Sequence, residues 1–185
     1  MLRSLMLLGI ILASASLCRA QDDKAKAGAD QLAVKYHDGT PEGKKSIAGT
    51  GEMIQFSLPS ETQKLRGLRL HCARYGSPQA PKEDAKISVV GEDGKTVLHT
   101  EMVPYSKFER GESKWTGIVF KSPVKVEKSF WVILEFNAAQ TKGVYVSCDT
   151  STGGKYSKIG SAGGESKPVT TGGDWMIEAL LTKPE

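Results

Sequence analysis

"KISVVGEDGKTVLHTEMV", Lys86 to Val103, reads as two strands folded about Asp93-Gly94. Two runs of alternating apolar and polar residues flank that dipeptide, and Asp-Gly accommodates the backbone of a tight reversal, so the stretch is a strong hairpin signal. The same period of two continues on both sides. In "GEMIQFSLP", Ile54, Phe56 and Leu58 share one face, and in "LRLHCARYG" Leu68, Leu70 and Cys72 do the same opposite Arg69, His71 and Ala73. "KWTGIVF" (114–120), "SFWVILEF" (129–136), "KGVYVSCD" (142–149) and "DWMIEALL" (174–181) add strands rich in β-branched and aromatic residues. Phe130 to Phe136 is apolar at nearly every position, which predicts a central strand covered on both faces.

No helical window competes. The single candidate is one turn in "PYSKFERGE", opened by Pro104 and closed by Gly111. Seven to nine short strands with no room for βαβ units predict an all-β fold, one β-sandwich of jelly-roll or related Greek-key topology over residues 33–185, with a closed barrel as the alternative.

The first residues bear on compartment. "MLRSLMLLGIILASASLCRA" carries a basic Arg3, an apolar run from Leu5 to Leu12 and small residues before a charged "QDDK", the layout of a signal peptide cleaved near Ala20. That run is far shorter than the roughly 20 residues of a membrane-spanning helix. Leu17 is large where lipid attachment at Cys18 would want a small residue, so the expectation is an exported protein, periplasmic or extracellular and not membrane-spanning. Residues 21–32, small and polar, are expected to form a flexible lead-in.

Cleavage changes the arithmetic. Of 25 Lys and Arg, Arg3 and Arg19 leave with the leader, so 23 face 21 Asp and Glu and the net charge of +4 falls to +2. These charges alternate in sign without a basic block, which excludes nucleic acid as the expected partner. Two cysteines remain, Cys72 and Cys148, each in the apolar phase of its strand; they are either a disulfide or two small buried hydrophobes. No signal for an oligomeric state is present.

The segment "VYVSCDTSTGGKYSKIG", Val144 to Gly160, holds an aspartate and a Gly-Gly-Lys that invite a catalytic reading. An aspartic protease would need glycine where Ser151 stands, and a second such motif to share a proton. A phosphate loop would need glycine at Asp149 and Ser or Thr at Tyr156. The segment is therefore read as a strand end and turn, with Tyr145, Ser147 and Asp149 facing out and the glycine pair reversing the chain. His37, His71 and His99 lie in no metal-ligand spacing. Calcium is the one cofactor considered: "YHDGTPEG" and "GGDW" offer Asp38, Glu42 and Asp174 as hard oxygen ligands.

What remains is aromatic and basic residues at strand ends. Tyr75, Tyr105, Tyr145 and Tyr156, with Arg74 and Arg110 and the loop aspartate Asp149, are the candidate ligand-binding residues, a platform for stacking on sugar rings or anchoring a protein. Trp115 also lies among them, but for it and Trp175 burial is the expectation. No complete catalytic constellation is seen, so no catalytic residue is assigned.

The segments "YHDGTPEGKKS", "HCARYGSPQAPKED", "TKGVYVSCDTSTGGKYS" and "GGDWMIEALL" together resemble a group of exported, functionally uncharacterised bacterial β-sandwich domains, over about residues 33 to 182. The resemblance implies the fold and export, and brings no activity or site residues. The architecture is also distantly similar to carbohydrate-binding jelly rolls. The expected function is a non-catalytic binding module for extracellular polysaccharide or a cell-envelope protein. The alternatives are a hydrolase using Asp149 or Glu109 with His71, and a structural assembly domain.

Overall fold

The computed structural model describes residues 32–170 and 172–182; the expected leader, its cleavage near Ala20 and all of the lead-in except Leu32 lie outside them. Eleven strands and one 3₁₀ turn follow in order: β1 (Leu32–Val34), β2 (Gly43–Lys45), β3 (Gly51–Gly76), β4 (Asp84–Gly91), β5 (Val97–Pro104), the turn Tyr105–Lys107, β6 (Lys114–Glu135), β7 (Lys142–Asp149), β8 (Ser157–Gly160), β9 (Ser166–Pro168), β10 (Asp174–Trp175) and β11 (Ile177–Leu181). Every strand pairing is antiparallel. Among the described residues no helix is long and apolar enough to cross a membrane.

β3 and β6 build both layers of the sandwich. The first half of β3, residues 51–57, lies between the second half of β6 and β8, with β4 and β5 beyond β6 and β9 beyond β8. The second half pairs with residues 114–127 of β6 on one side and with β11 and then β7 on the other; β1 extends β11, and β2 and β10 pair with β7. Outer strands β1, β2, β5 and β9 each have a single partner, so the sheet stays open rather than closing into a barrel.

The expected alternation holds. Ile54, Phe56, Leu58, Leu68, Leu70 and Cys72 of β3 all enter one core with Val126, Phe130, Val132 and Leu134 of β6. Leu65 and Leu68 both enter this same core although three positions apart, where the alternation of a regular strand would put them on opposite faces. An irregularity resolves this: Leu65 pairs with Val124 and Gly67 with Val119, leaving residues 120–123 of β6 to bulge opposite Arg66. Trp131 and Ile133 face the other way and pack with Met53, Val90 and Ala162, so the central strand is covered on both faces as its composition predicts. The hairpin about Asp93-Gly94 forms β4 and β5, with Asp93 accepting from the amides of Lys95 and Thr96, both at 2.9 Å. Those hydrogen bonds hold the exposed Asp93 carboxyl down at about 2.

Cys72 and Cys148 both point into the core and are separate thiols. Register explains why they do not bridge. Cys72 lies opposite Val146, so Cys148 is one diagonal step away, at about 7–8 Å where a disulfide needs Cα atoms within about 6.8 Å. Burial raises the Cys72 thiol to about 11.

Candidate functional site

The second half of β3 presents its non-core phase, Arg69, His71, Ala73 and Tyr75, on the outer face of the second layer. Register sets their neighbours: Trp115 opposite His71, Tyr145 opposite Ala73, and Gly143 opposite Tyr75. Gly143 is what lets the Tyr75 ring lie down. A Cβ at that position would fall 2.3 Å from the Tyr75 hydroxyl oxygen, and without one the ring settles across the neighbouring strand. There Tyr75 donates to the Ala139 carbonyl at 2.9 Å, and its ring centroid is 4.5 Å from that of Tyr145. Both rings remain half-exposed.

Cations frame this pair. The Lys44 ammonium of β2 stands 5.4 Å from the Tyr145 ring centre. Arg110 enters from the loop after the 3₁₀ turn and donates Nε to the Gly76 carbonyl at 3.0 Å. Arg74 closes the floor: it lies in the core phase at the end of β3, is 6% exposed, and donates to the carbonyls of Phe108 (3.3 Å), Ser77 (2.6 Å) and Pro78 (3.0 Å). Together with Gly76 and Gly111 these residues line an open cleft of about 280 Å³. Four of the seven residues read as ligand-binding from sequence, Arg74, Tyr75, Arg110 and Tyr145, therefore converge. Arg74 serves as a brace for two loops as well as lining the cleft.

The other three go elsewhere. Tyr105 is fully buried, donates to the Phe136 carbonyl and packs edge-on against Phe108, and burial raises its hydroxyl to about 12. It belongs to the core and cannot join a surface platform. Glu101, Val103 and Tyr105 are alternate residues and all are buried, so Tyr105 continues the inward phase of β5, a phase that the glutamate conceals in the sequence. Tyr156 stacks on Tyr36 at 3.6 Å between centroids, which in turn packs on Phe56, so it caps the core away from the cleft lining.

Asp149 leaves the core phase as expected yet is fully buried, because the segment 36–42 and β2 cover the end of β7. Its Oδ2 accepts from the Asp38 amide at 2.9 Å and its Oδ1 from the Ser151 amide at 2.8 Å. Burial pushes this carboxyl up, and the hydrogen bonds from Ser151 and Asp38 outweigh that and leave it lowered. Ser147 is likewise covered, at 1% exposure. The turn reading of the following residues holds: Gly153 and Gly154 adopt φ of +69° and +74° and lead into β8. Among the described residues, Asp38, Glu42 and Asp149 bring carboxylate oxygens within 4.8 Å of one another and could hold a hard cation. Asp174, the third expected calcium ligand, instead accepts from the Tyr156 amide at 2.8 Å and from Thr152.

The residues of the hydrolase alternative each have other partners. His71 Nδ1 shares a hydrogen bond of 2.9 Å with Ser147 Oγ, Glu109 pairs with Lys114, and Asp149 is occupied as above. Trp175 is fully buried as expected, whereas Trp115 is half-exposed with Arg69 5.0 Å from its ring centre. Lys44 escaped the sequence reading because "GKKS" looks like an ordinary solvated charge run; only the β2–β7 register carries it to Tyr145.

No family model matches the chain, and no curated protein matches it. Solved structures do match, two of them as follows. One is the crystal structure of the cysteine protease and lectin-like domains of Cwp84, a surface layer associated protein of Clostridium difficile, at TM-score 0.50 and 14% identity over 85% of this chain and 37% of that one. The other is the clostridial cysteine protease Cwp84 after propeptide cleavage, at TM-score 0.50 and 13% identity over 85% and 41%. The chain spans about two fifths of the length of these structures, and at such identity the likeness is one of fold.

Proposed function

We propose that this chain is an exported, non-catalytic binding module that holds an extracellular polysaccharide or a cell-envelope protein on the outer face of its second layer. The observation that carries the reading is the Tyr75–Tyr145 pair, two half-exposed rings held in fixed orientation beside Lys44 and Arg110 in an open cleft. Paired aromatic faces offer sugar rings a broad apolar surface at little cost in side-chain entropy, and flanking cations supply directional hydrogen bonds. The fold likeness to the structure of the cysteine protease and lectin-like domains of a surface layer associated protein lends support from a second direction.

A glycan array together with cell-envelope extracts tests the reading, with the double variant Tyr75→Ala and Tyr145→Ala alongside the wild type. The variant is expected to lose at least tenfold in affinity, about 1.4 kcal/mol, while keeping its circular dichroism spectrum. Binding unchanged in the double variant removes this face as the site; no binding to any glycan or extract removes the module itself.

A further inference from the structure

The cleft carries a charge that nothing within it balances. Arg74 is 6% exposed and its guanidinium meets only backbone carbonyls, those of Ser77, Pro78 and Phe108. Carbonyl dipoles solvate a cation but leave its whole charge in place, and a cation so withdrawn from water is costly without an opposing one. Lys44 and Arg110 stand at the rim with no carboxylate partner among the described residues. Neighbouring acids are turned elsewhere. Glu109 pairs with Lys114, Glu83 pairs with Lys142 at 2.5 Å, and Glu42 and Glu112 line the adjoining depression, which meets the cleft at Lys44 without either acid forming an ion pair with it. Three cations thus converge on two tyrosine rings in a space that no acidic side chain lines.

We propose that the ligand of this cleft is an anionic saccharide, its ring lying against Tyr75 and Tyr145 and its oxyanion, a carboxylate or a sulfate ester, set between Arg110 and Lys44 over the buried charge of Arg74. The inference rests on the reading of this face as a polysaccharide site and narrows it to one ligand class. Among the described residues nothing engages the two terminal nitrogens of Arg110, which leaves them the geometry for a bidentate grip on a planar carboxylate. Lys44, already held over Tyr145, adds a point charge to the same anion.

Affinity electrophoresis of the full chain through gels containing polygalacturonate, dextran sulfate or neutral dextran tests this. The expected result is retardation by one or both acidic polymers and none by dextran, and the acidic polymer that retards more strongly names the anion. Lys44→Gln and Arg110→Gln should each weaken retention about tenfold, as expected for loss of a charge-assisted hydrogen bond. Lys125→Gln, which removes the same charge from an exposed position on β6, should leave it unchanged. Equal retardation by dextran would overturn the anionic class while keeping the aromatic platform. Retention weakened as much by Lys125→Gln would show a general response to surface charge and overturn the proposal, and so would retardation by none of the three polymers. If that last result comes with binding on the glycan array, only the ligand class fails; without it, the binding reading fails too.

Discussion

Glu52 is fully buried in β3, accepts from the Ile47 amide at 3.1 Å with one oxygen and, among the described residues, has no partner for the other. Burial lifts its carboxyl to about 8, so the folded protein keeps it protonated where the unfolded chain, near 4.5, has released the proton. A raised folded value means that stability is fully present below about 4.5 and is lost as pH climbs towards 8. His37 and His71, both lowered by burial, act in the opposite sense and only below their ordinary 6.5. Between pH 7 and pH 8 Glu52 is therefore unopposed by them, and denaturant titration should show stability falling by about 1 kcal/mol across that unit. Glu52→Gln should flatten the slope; a slope that persists assigns the titration to another group. None of this was legible in "GEMIQFSLP", where a glutamate at the start of a strand reads as solvated. What buries it is pairing on both sides, with Leu134 and with Ile159, and that is tertiary information.

The sequence pattern breaks β3 and β6 into two strands each, whereas each runs without interruption, through 26 and 22 residues. Proline, glycine and charge punctuate both, and such punctuation ordinarily ends a strand. Here it marks places where pairing lapses, between Ser57 and Thr62 in β3 and opposite Arg66 in β6, so the strands bend there without ending. Each half was legible by its alternation; the continuity was not, because it depends on two irregularities falling at neighbouring points of partner strands. Gly67 sits at the second of these, and a Cβ there would lie 2.2 Å from the Ile118 carbonyl oxygen. Gly67→Ala should therefore cost about 2 kcal/mol or more, read as a fall in melting temperature. Gly117, its neighbour on the outer face, has nothing within 4 Å of a built Cβ, and Gly117→Ala should stay within about 0.5 kcal/mol of the wild type. Equal effects at the two positions would show that backbone crowding at the bend is not the cause.

At the scale of the whole molecule the site depends on elements far apart in sequence. Lys44 comes from β2, Tyr75 from β3, Arg110 from the loop before β6 and Tyr145 from β7, and only antiparallel register brings them together. The fold class was readable because alternation is local, and half of the site was readable because strand-end aromatics and arginines stand out. The same reasoning admitted Tyr105 and missed Lys44, since neither burial nor cross-strand company is written in a short window. Segment 36–42 is tied down in the same non-local way, through the Asp38 amide on Asp149 and the Thr150 amide on Glu42 at 2.8 Å. Asp149→Asn should raise amide exchange at Asp38 and Thr150 while leaving β4 and β5 protected; uniform exchange across the chain would point to global loss of stability instead. The long shared strands also govern when the chain can fold. β3 has to wait for β6 some forty residues later, and β11, the last strand, lies between β1 and β3, so the second layer cannot close until Leu181 has been synthesised. Contacts this remote in sequence make folding slow, on the order of milliseconds to seconds. A nascent chain that lacks its last strand is still threadable, and on the proposed export it benefits from staying so until it has crossed.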